Sequence, residues 1–197
     1  YLSLSGGGDN GAFGAGLLVG WTEQGTRPEF NLVTGISTGA LIAPFAYLGK
    51  DYDPVLTEVY TKVKPSDIFK SRGFLSGFFG DGLADTSPLF QLISKYVTAD
   101  FLKKVAHEYN NRGRWLLIGT TNIDAGTPVI WNMGQIASIG TPESLELFRK
   151  ILLASASIPA AFPPVMFDFM IDGKDFQEMH VDGGATTQVF LYPGSAA

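Results

Sequence analysis

Residues 35–39, Gly-Ile-Ser-Thr-Gly, constrain this chain more than any other segment. They fit the pattern G-x-S-x-G, with an apolar stretch before them that predicts a strand at residues 31–36 and a helix pattern at 38–48 after them. In that context Ser37 lies on a tight strand-to-helix turn, and Gly35 and Gly39 omit the β-carbons that would collide there. The helix N-terminus favours negative charge beside the serine. The pattern therefore predicts a nucleophile elbow, with an ordinary connection capped by a serine as the alternative.

A second glycine-rich segment, residues 6–11, follows a predicted first strand and precedes a predicted helix at 12–24. The consecutive glycines Gly6, Gly7 and Gly8 allow backbone N–H groups to converge on an anion, as in an oxyanion hole. The same segment also fits G-x-G-x-x-G, with Glu29 placed 18 residues after the last of its glycines, so a dinucleotide site is an open alternative. Against that alternative, the second predicted strand ends in the serine motif and not in an acid.

The serine needs a base, and three side chains are candidates. Asp182 ends the last apolar stretch and precedes Gly183 and Gly184, so its carboxylate is expected on a sharp turn with little steric cover. His180 precedes Asp182 by two residues and is expected on the same side of the strand, as a structural neighbour or as an alternative base. His107 groups with lysines on the polar face of a predicted helix, which indicates a solvated surface residue.

Composition narrows the possible functions. The net charge of −5 argues against nucleic acid and against general attraction to anionic membranes, so any membrane or micelle contact should be local, transient and apolar. Cysteine is absent, which excludes disulfides and thiolate chemistry. No apolar stretch approaches the roughly 20 residues that a spanning helix needs, and no signal peptide is visible. These properties leave the compartment and the oligomeric state undecided.

The order of predicted elements indicates a single α/β domain over residues 1–197. Strands alternate with helices in the first part of the chain, which predicts a mostly parallel sheet between helical layers. Two hairpin signals follow, around residues 124–126 and 172–174. Since the sequence opens directly into a strand without an initiator methionine, we expect the natural protein to be longer at both ends.

Together these motifs resemble the patatin-like phospholipase family. That family has a glycine triplet, then G-x-S-x-G, then D-G-[GA], and its A-S-x-x-x-P region is similar to residues 154–159 here. The resemblance implies a three-layer α/β/α sandwich, a Ser37–Asp182 dyad, oxyanion donors from Gly6–Gly8, and hydrolysis of acyl lipids without metal or cofactor. The family usually has Lys or Arg where this chain has Asn10, which puts recognition of a phosphate headgroup in doubt.

One segment and two further functions complete the predictions. Residues 73–83 combine glycines with large apolar side chains and are expected either to form a flap over an acyl groove or to plug the core; the side chains concerned are Phe74, Leu75, Phe78 and Phe79. A lipid-binding module without turnover is the main alternative to an esterase or lipase. A dinucleotide-binding oxidoreductase is the less favoured alternative.

Overall fold

The computed structural model describes residues 1–62 and 85–191 of the chain. The predicted acyl-groove residues Phe74, Leu75, Phe78 and Phe79 lie outside this part of the chain. Within it the polypeptide forms six strands, which are β1 (Leu2–Leu4), β2 (Leu32–Ile36), β3 (Trp115–Asn122), β4 (Thr127–Asn132), β5 (Val165–Ile171) and β6 (Lys174–Asp182).

Seven α-helices accompany these strands in the described residues. They are α1 (Gly11–Glu23), α2 (Thr38–Leu48), α3 (Asp53–Lys62), α4 (Ser87–Tyr96), α5 (Ala99–Arg112), α6 (Met133–Ile139) and α7 (Pro142–Ser155). None of them is long and apolar enough to cross a bilayer.

Local signals in the sequence account for where these helices begin. Thr141 caps α7 by accepting a hydrogen bond from Ser144 N, and Pro142 occupies the first turn, where its missing N–H has no cost. Thr98 caps α5 in the same way. Helix α6 was not predicted; it begins because the Asn132 side chain accepts the Gln135 N–H directly after β4.

The strands form one sheet in the order β1-β2-β3-β6-β5, with β4 also paired to β3. Strands β1, β2 and β3 are parallel neighbours. Strand β6 runs antiparallel to β3, and β5 runs antiparallel to β6, so β5 has the direction of the first three strands. Four of these six strands therefore run the same way, and the sheet is mostly parallel, as predicted.

One edge of β3 is shared by two strands, and this arrangement positions the candidate site. Strand β2 pairs with β3 up to Ile36, opposite Gly119. Strand β6 pairs with the following residues, and Asp182 lies opposite Thr120. The partner on the other edge is β4, which spans both regions. The carboxyl ends of β2 and β6 therefore meet end to end along β3.

The faces of the sheet are covered by different segments. Helix α2 packs on β2, and α6 and α7 pack on β3, around a core that includes Val33, Leu116 and Ile151. Thr34 points to the opposite face, where its hydroxyl donates to the Phe190 carbonyl at 2.7 Å. This α/β arrangement agrees with the predicted three-layer α/β/α sandwich.

The contact between α5 and α6 depends on one glycine. A β-carbon on Gly134 would lie 2.6 Å from Tyr109 ring atoms, so we expect Gly134→Ala to lower the free energy of unfolding by about 1–3 kcal/mol. Gly16 on α1 is the matched control, because nothing lies within 4 Å of its β-carbon position. There alanine should raise stability by up to about 1 kcal/mol. Urea denaturation of both variants checks this, and equal effects would contradict the packing described.

Candidate active site

Ser37 lies at the point where β2 turns into α2. Its backbone has φ 56° and ψ −127°, a conformation that a residue with a side chain rarely adopts. The turn is so tight that a β-carbon on Gly35 would lie 2.5 Å from the Gly39 carbonyl oxygen. One on Gly39 would lie 2.4 Å from the Leu4 carbonyl oxygen. These contacts explain why the G-x-S-x-G pattern has glycine at both positions, and this turn is called the elbow below.

Asp182 lies at the end of β6 and faces Ser37. Its carboxylate accepts a hydrogen bond at 2.7 Å from Gly184 N–H and lies close enough to the Ser37 hydroxyl for that hydroxyl to lower the pKa of the carboxyl. Both side chains are buried, with Ser37 6% and Asp182 4% exposed. Burial raises the pKa of the Asp182 carboxyl above its ordinary value, and the nearby Ser37 hydroxyl and the Gly184 N–H offset part of that rise. The raised pKa makes the carboxylate a stronger base than a solvated aspartate.

The two glycines after Asp182 allow the chain that follows β6 to turn close against β3. A β-carbon on Gly183 would lie 2.6 Å from the Gly119 carbonyl oxygen, against β3. One on Gly184 would lie 2.9 Å from Asp182 Oδ1, in the space that its own N–H uses to donate. Both glycines of the D-G-G motif are therefore required by close contacts around the carboxylate.

The C-terminal end of α7 holds both backbones in place. Ser155 Oγ accepts the Ser37 N–H at 3.0 Å and donates to the Gly119 carbonyl at 2.7 Å. Two residues later, the Ser157 carbonyl accepts the Asp182 N–H at 2.8 Å. The resemblance at residues 154–159 predicted no role for these two serines. The sequence feature that could have indicated this role is the pair Ser155 and Ser157, which stands where an apolar helix ends.

The glycine triplet passes beside Ser37, but its three N–H groups are not equivalent. A β-carbon on Gly6 would lie 3.2 Å from Ser37 Cβ, so the backbone of Gly6 adjoins the serine. The Gly6 N–H donates to the Gln188 carbonyl at 3.1 Å and is therefore occupied. Gly7 and Gly8 donate to no carbonyl or side chain of the described residues. These two amides are the candidate anion donors.

His180 is held away from the serine by other partners. The ring is fully buried, with Nδ1 2.9 Å from Thr120 Oγ1 and Nε2 3.2 Å from Glu178 Oε2. The rings of Trp131 and Phe167 pack against it. Because both nitrogens are engaged, the geometry favours a structural role for His180 over that of a base. His107 is exposed on α5, as its position on the polar face indicated.

A cavity of about 500 Å³ opens beside the elbow. It is lined by residues of β1, the glycine-rich segment, α1 and α2, including Gly6, Asn10 and Thr38. Asn10 is exposed at the start of α1. Glu29, the acid of the dinucleotide hypothesis, lies before β2 and pairs with Arg112 on α5. The carboxyl end of β2 carries Ser37 in place of an acid, which removes the support for that hypothesis.

Residues 1–62 and 85–191 contain no group of side chains arranged to bind a metal ion. No group of three or more histidine, aspartate or glutamate side chains converges there. Asp182 Oδ1 accepts the Gly184 N–H.

The role of Ser155 gives a stability prediction. Ser155→Ala leaves the buried Ser37 N–H and Gly119 carbonyl without this partner, so the free energy of unfolding should fall by about 2 kcal/mol. Ser157→Ala is the matched control, because its hydroxyl donates only to the Leu153 carbonyl, and the Ser157 carbonyl still accepts Asp182 N. We expect it to cost under about 1 kcal/mol. A loss at Ser157 as large as that at Ser155 in urea denaturation would contradict this assignment.

Comparisons with known proteins identify the fold and the family. A crystal structure of VipD from Legionella pneumophila superposes with a TM-score of 0.56 and 12% sequence identity. The superposition covers 98% of this chain and 46% of VipD, so the chain spans less than half of that protein, and the likeness is one of fold alone. A search of curated protein sequences gives no match. The sequence model of the patatin-like phospholipase family matches residues 2–192, and the chain therefore belongs to the patatin-like phospholipase family.

Proposed function

We propose that this chain is a lipid acyl hydrolase in which Ser37 is the nucleophile and Asp182 is the base. The observation that carries the proposal is that Ser37, on its strained turn, meets the buried Asp182 carboxylate, whose pKa is raised, where β2 and β6 end along β3. A hydroxyl placed beside a base is the arrangement that serine nucleophiles require. The family match gives the substrate class, which is acyl esters of lipids.

The proposed reaction has two steps. As Ser37 Oγ attacks the ester carbonyl carbon, its proton passes to Asp182, and the tetrahedral oxyanion accepts hydrogen bonds from Gly7 and Gly8 N–H. Collapse breaks the ester bond, and Asp182 returns the proton to the departing alcohol. Asp182 then takes a proton from water, which attacks the acyl-serine; collapse breaks the bond to Ser37 Oγ, Asp182 returns the proton to that oxygen, and the fatty acid is released. Neither step needs a metal or an organic cofactor.

A lipid-binding module without turnover is the second candidate. Asn10 favours it, because it stands exposed at the start of α1 where the family usually has a cation, and Asp9 beside it is also exposed. Both candidates share the fold and a lipid ligand. They differ in whether the Ser37 hydroxyl reacts.

A fluorophosphonate probe separates the two candidates. We expect the wild-type chain to be labelled and Ser37→Ala to be unlabelled, because the probe reacts only with an activated serine hydroxyl. Asp182→Asn should abolish ester turnover, whereas the matched change His180→Gln should keep a large share of it. An unlabelled wild-type chain would favour the binding module, and loss of turnover in His180→Gln alone would move the base to His180.

The pH dependence should follow the Asp182 carboxylate. The ionised form is the base, so kcat/KM should be lost as the pH falls through a pKa above the ordinary value of about 3.9. Since the folded pKa is raised, ionising Asp182 lowers stability as the pH rises through it. Asp182→Asn should therefore melt at a higher temperature than wild type at pH 7, and the difference should shrink in acid. A constant difference across pH would contradict the raised pKa.

We also propose that helix α1 is the part of the molecule that touches a membrane or micelle. Its face carries Phe13, 77% exposed, and Leu17, 58% exposed, and α1 has no charged residue before Glu23. Phe13 also lines the cavity beside the elbow, so the apolar face is continuous with the candidate site. Because a net charge of −5 gives no general electrostatic attraction to anionic lipid, we expect apolar contact to provide the attraction to a lipid surface.

The test of this surface compares dissolved with micellar esters. Replacing Phe13 and Leu17 with serine should reduce turnover of a micellar ester several-fold and leave turnover of a dissolved short-chain ester close to wild type. Ile139→Ser is the matched control, because Ile139 is 61% exposed on α6. Equal losses on both esters, or an equal micellar loss in Ile139→Ser, would reject α1 as the lipid contact.

A further inference from the structure

Strand β5 forms an open edge of the sheet. All of its residues, Val165–Ile171, pair with β6 on one side, and no strand of the described residues pairs with the other side. An open strand edge presents a row of backbone N–H and C=O groups to any extended segment that approaches it. Such an edge is either protected against pairing or used for binding.

The other two open edges in residues 1–62 and 85–191 are protected, and that of β5 is not. Strand β1 has only three residues, and β4 contains Pro128, whose nitrogen has no hydrogen to donate. The sequence of β5, Val-Met-Phe-Asp-Phe-Met-Ile, contains neither proline nor lysine. Its β-branched and aromatic residues favour strand pairing. Of the three edges, β5 is therefore the one best suited to accept a further strand.

A groove of about 390 Å³ lies between β5 and helix α7. Apolar side chains line part of it, Leu147 from α7 and Phe167 from β5. Its charged lining residues are Glu143, Glu146, Lys150 and Asp168. Because successive side chains of a strand point to opposite faces, a strand added beside β5 would direct every second side chain toward α7. The groove can therefore receive side chains of an added strand.

The apolar surface continues past the groove toward the tip of the hairpin. Phe167 and Ile171 lie on the same face of β5, and Phe176 of β6 lies on that face opposite Phe169. Phe167 is only 3% exposed, whereas Ile171 is 55% and Phe176 is 49% exposed. A segment that follows β5 therefore meets apolar surface along the whole strand.

The charge of this region is negative. The groove and the hairpin up to residue 178 carry six carboxylates and two lysines, which are Glu143, Glu146, Asp168, Asp172, Asp175, Glu178, Lys150 and Lys174. This imbalance accounts for most of the net charge of −5 of the chain. A second copy paired through β5 would bring like charges together, which is destabilising. A basic segment is attracted to the same surface.

We propose that β5 docks an extended, basic segment of a partner protein, which adds to the sheet as a further strand. Main-chain hydrogen bonds to β5 provide affinity, and the groove beside α7 and its carboxylates select apolar side chains that alternate with Lys or Arg. A segment that pairs with the whole of Val165–Ile171 is about 23 Å long. The inference does not depend on the proposed hydrolysis, because neither β5 nor the groove contains Ser37 or Asp182.

Binding of synthetic peptides to the purified chain tests this docking strand. The probe is a fluorescein-labelled peptide of about nine residues in which lysine and valine alternate, and fluorescence anisotropy reports its binding. We expect saturable binding. The same peptide methylated at all of its backbone nitrogens should bind at least about tenfold more weakly, because it keeps the charge and loses the N–H groups that pair with β5. Equal binding of the methylated peptide, or no saturable binding, would overturn strand addition.

Charge reversals in the groove have opposite expected effects. Glu146→Lys should weaken binding of the lysine–valine peptide about fivefold, and Lys150→Glu should strengthen it about fivefold. The matched control is Glu23→Lys, an equal change of net charge at an exposed glutamate of α1 outside the groove, and its affinity should stay within about twofold of wild type. Failure to fold does not strengthen binding, so Lys150→Glu decides if melting curves exclude Glu146→Lys. An equal loss in Glu23→Lys, or no change in Lys150→Glu, would overturn the groove as the site.

Hydrogen exchange then locates the bound peptide. Backbone amides of β5 should gain protection when the peptide binds, whereas those of β4, the open edge that contains Pro128, should exchange as before. Protection at β4 and not at β5 would contradict the assignment. Sedimentation tests the second copy: a dimer without peptide that Ile171→Lys disperses would assign β5 to self-association and overturn the basic partner.

Discussion

The candidate site depends on the sharing of one edge of β3 by two strands that arrive from opposite directions. β2 ends beside Gly119 and β6 ends beside Thr120, so the turn that follows each strand opens at the same place. The end of α7 then fixes both turns, through Ser155 to the Ser37 N–H and through Ser157 to the Asp182 N–H. Residues 145 positions apart are thereby held by backbone hydrogen bonds, and their side chains are free to interact with each other.

Glycines in the candidate site allow backbone segments to lie unusually close together. The glycines at positions 35, 39 and 183 are each within about 2.6 Å of a backbone oxygen at their β-carbon positions, so no larger residue fits there. Burial in this site raises the pKa of the Asp182 carboxyl. Burying a carboxylate whose charge is only partly compensated is costly for folding and useful for proton transfer, a balance expected at a functional site.

Most of the elements and the family were predicted from the sequence, and Ser37 and Asp182 were proposed as the candidate pair, because each of these predictions rests on a local pattern. Turn glycines and apolar runs mark both sides of Ser37 and the end of the last strand. Other features depend on long-range contacts that no local pattern records. The Gly6 amide is occupied by the carbonyl of Gln188, 182 residues away, which leaves Gly7 and Gly8 as candidate donors. Helix α6 contains only seven residues, including Gly134, and depends on packing against Tyr109.

A structure of the chain after reaction with a fluorophosphonate tests the central claim most directly. The account predicts phosphorus bonded to Ser37 Oγ, the phosphonyl oxygen about 2.7–3.1 Å from the Gly7 and Gly8 amide nitrogens, and the Asp182 carboxylate beside the modified serine. Phosphorus on another residue, or a phosphonyl oxygen directed away from both glycine amides, would contradict it.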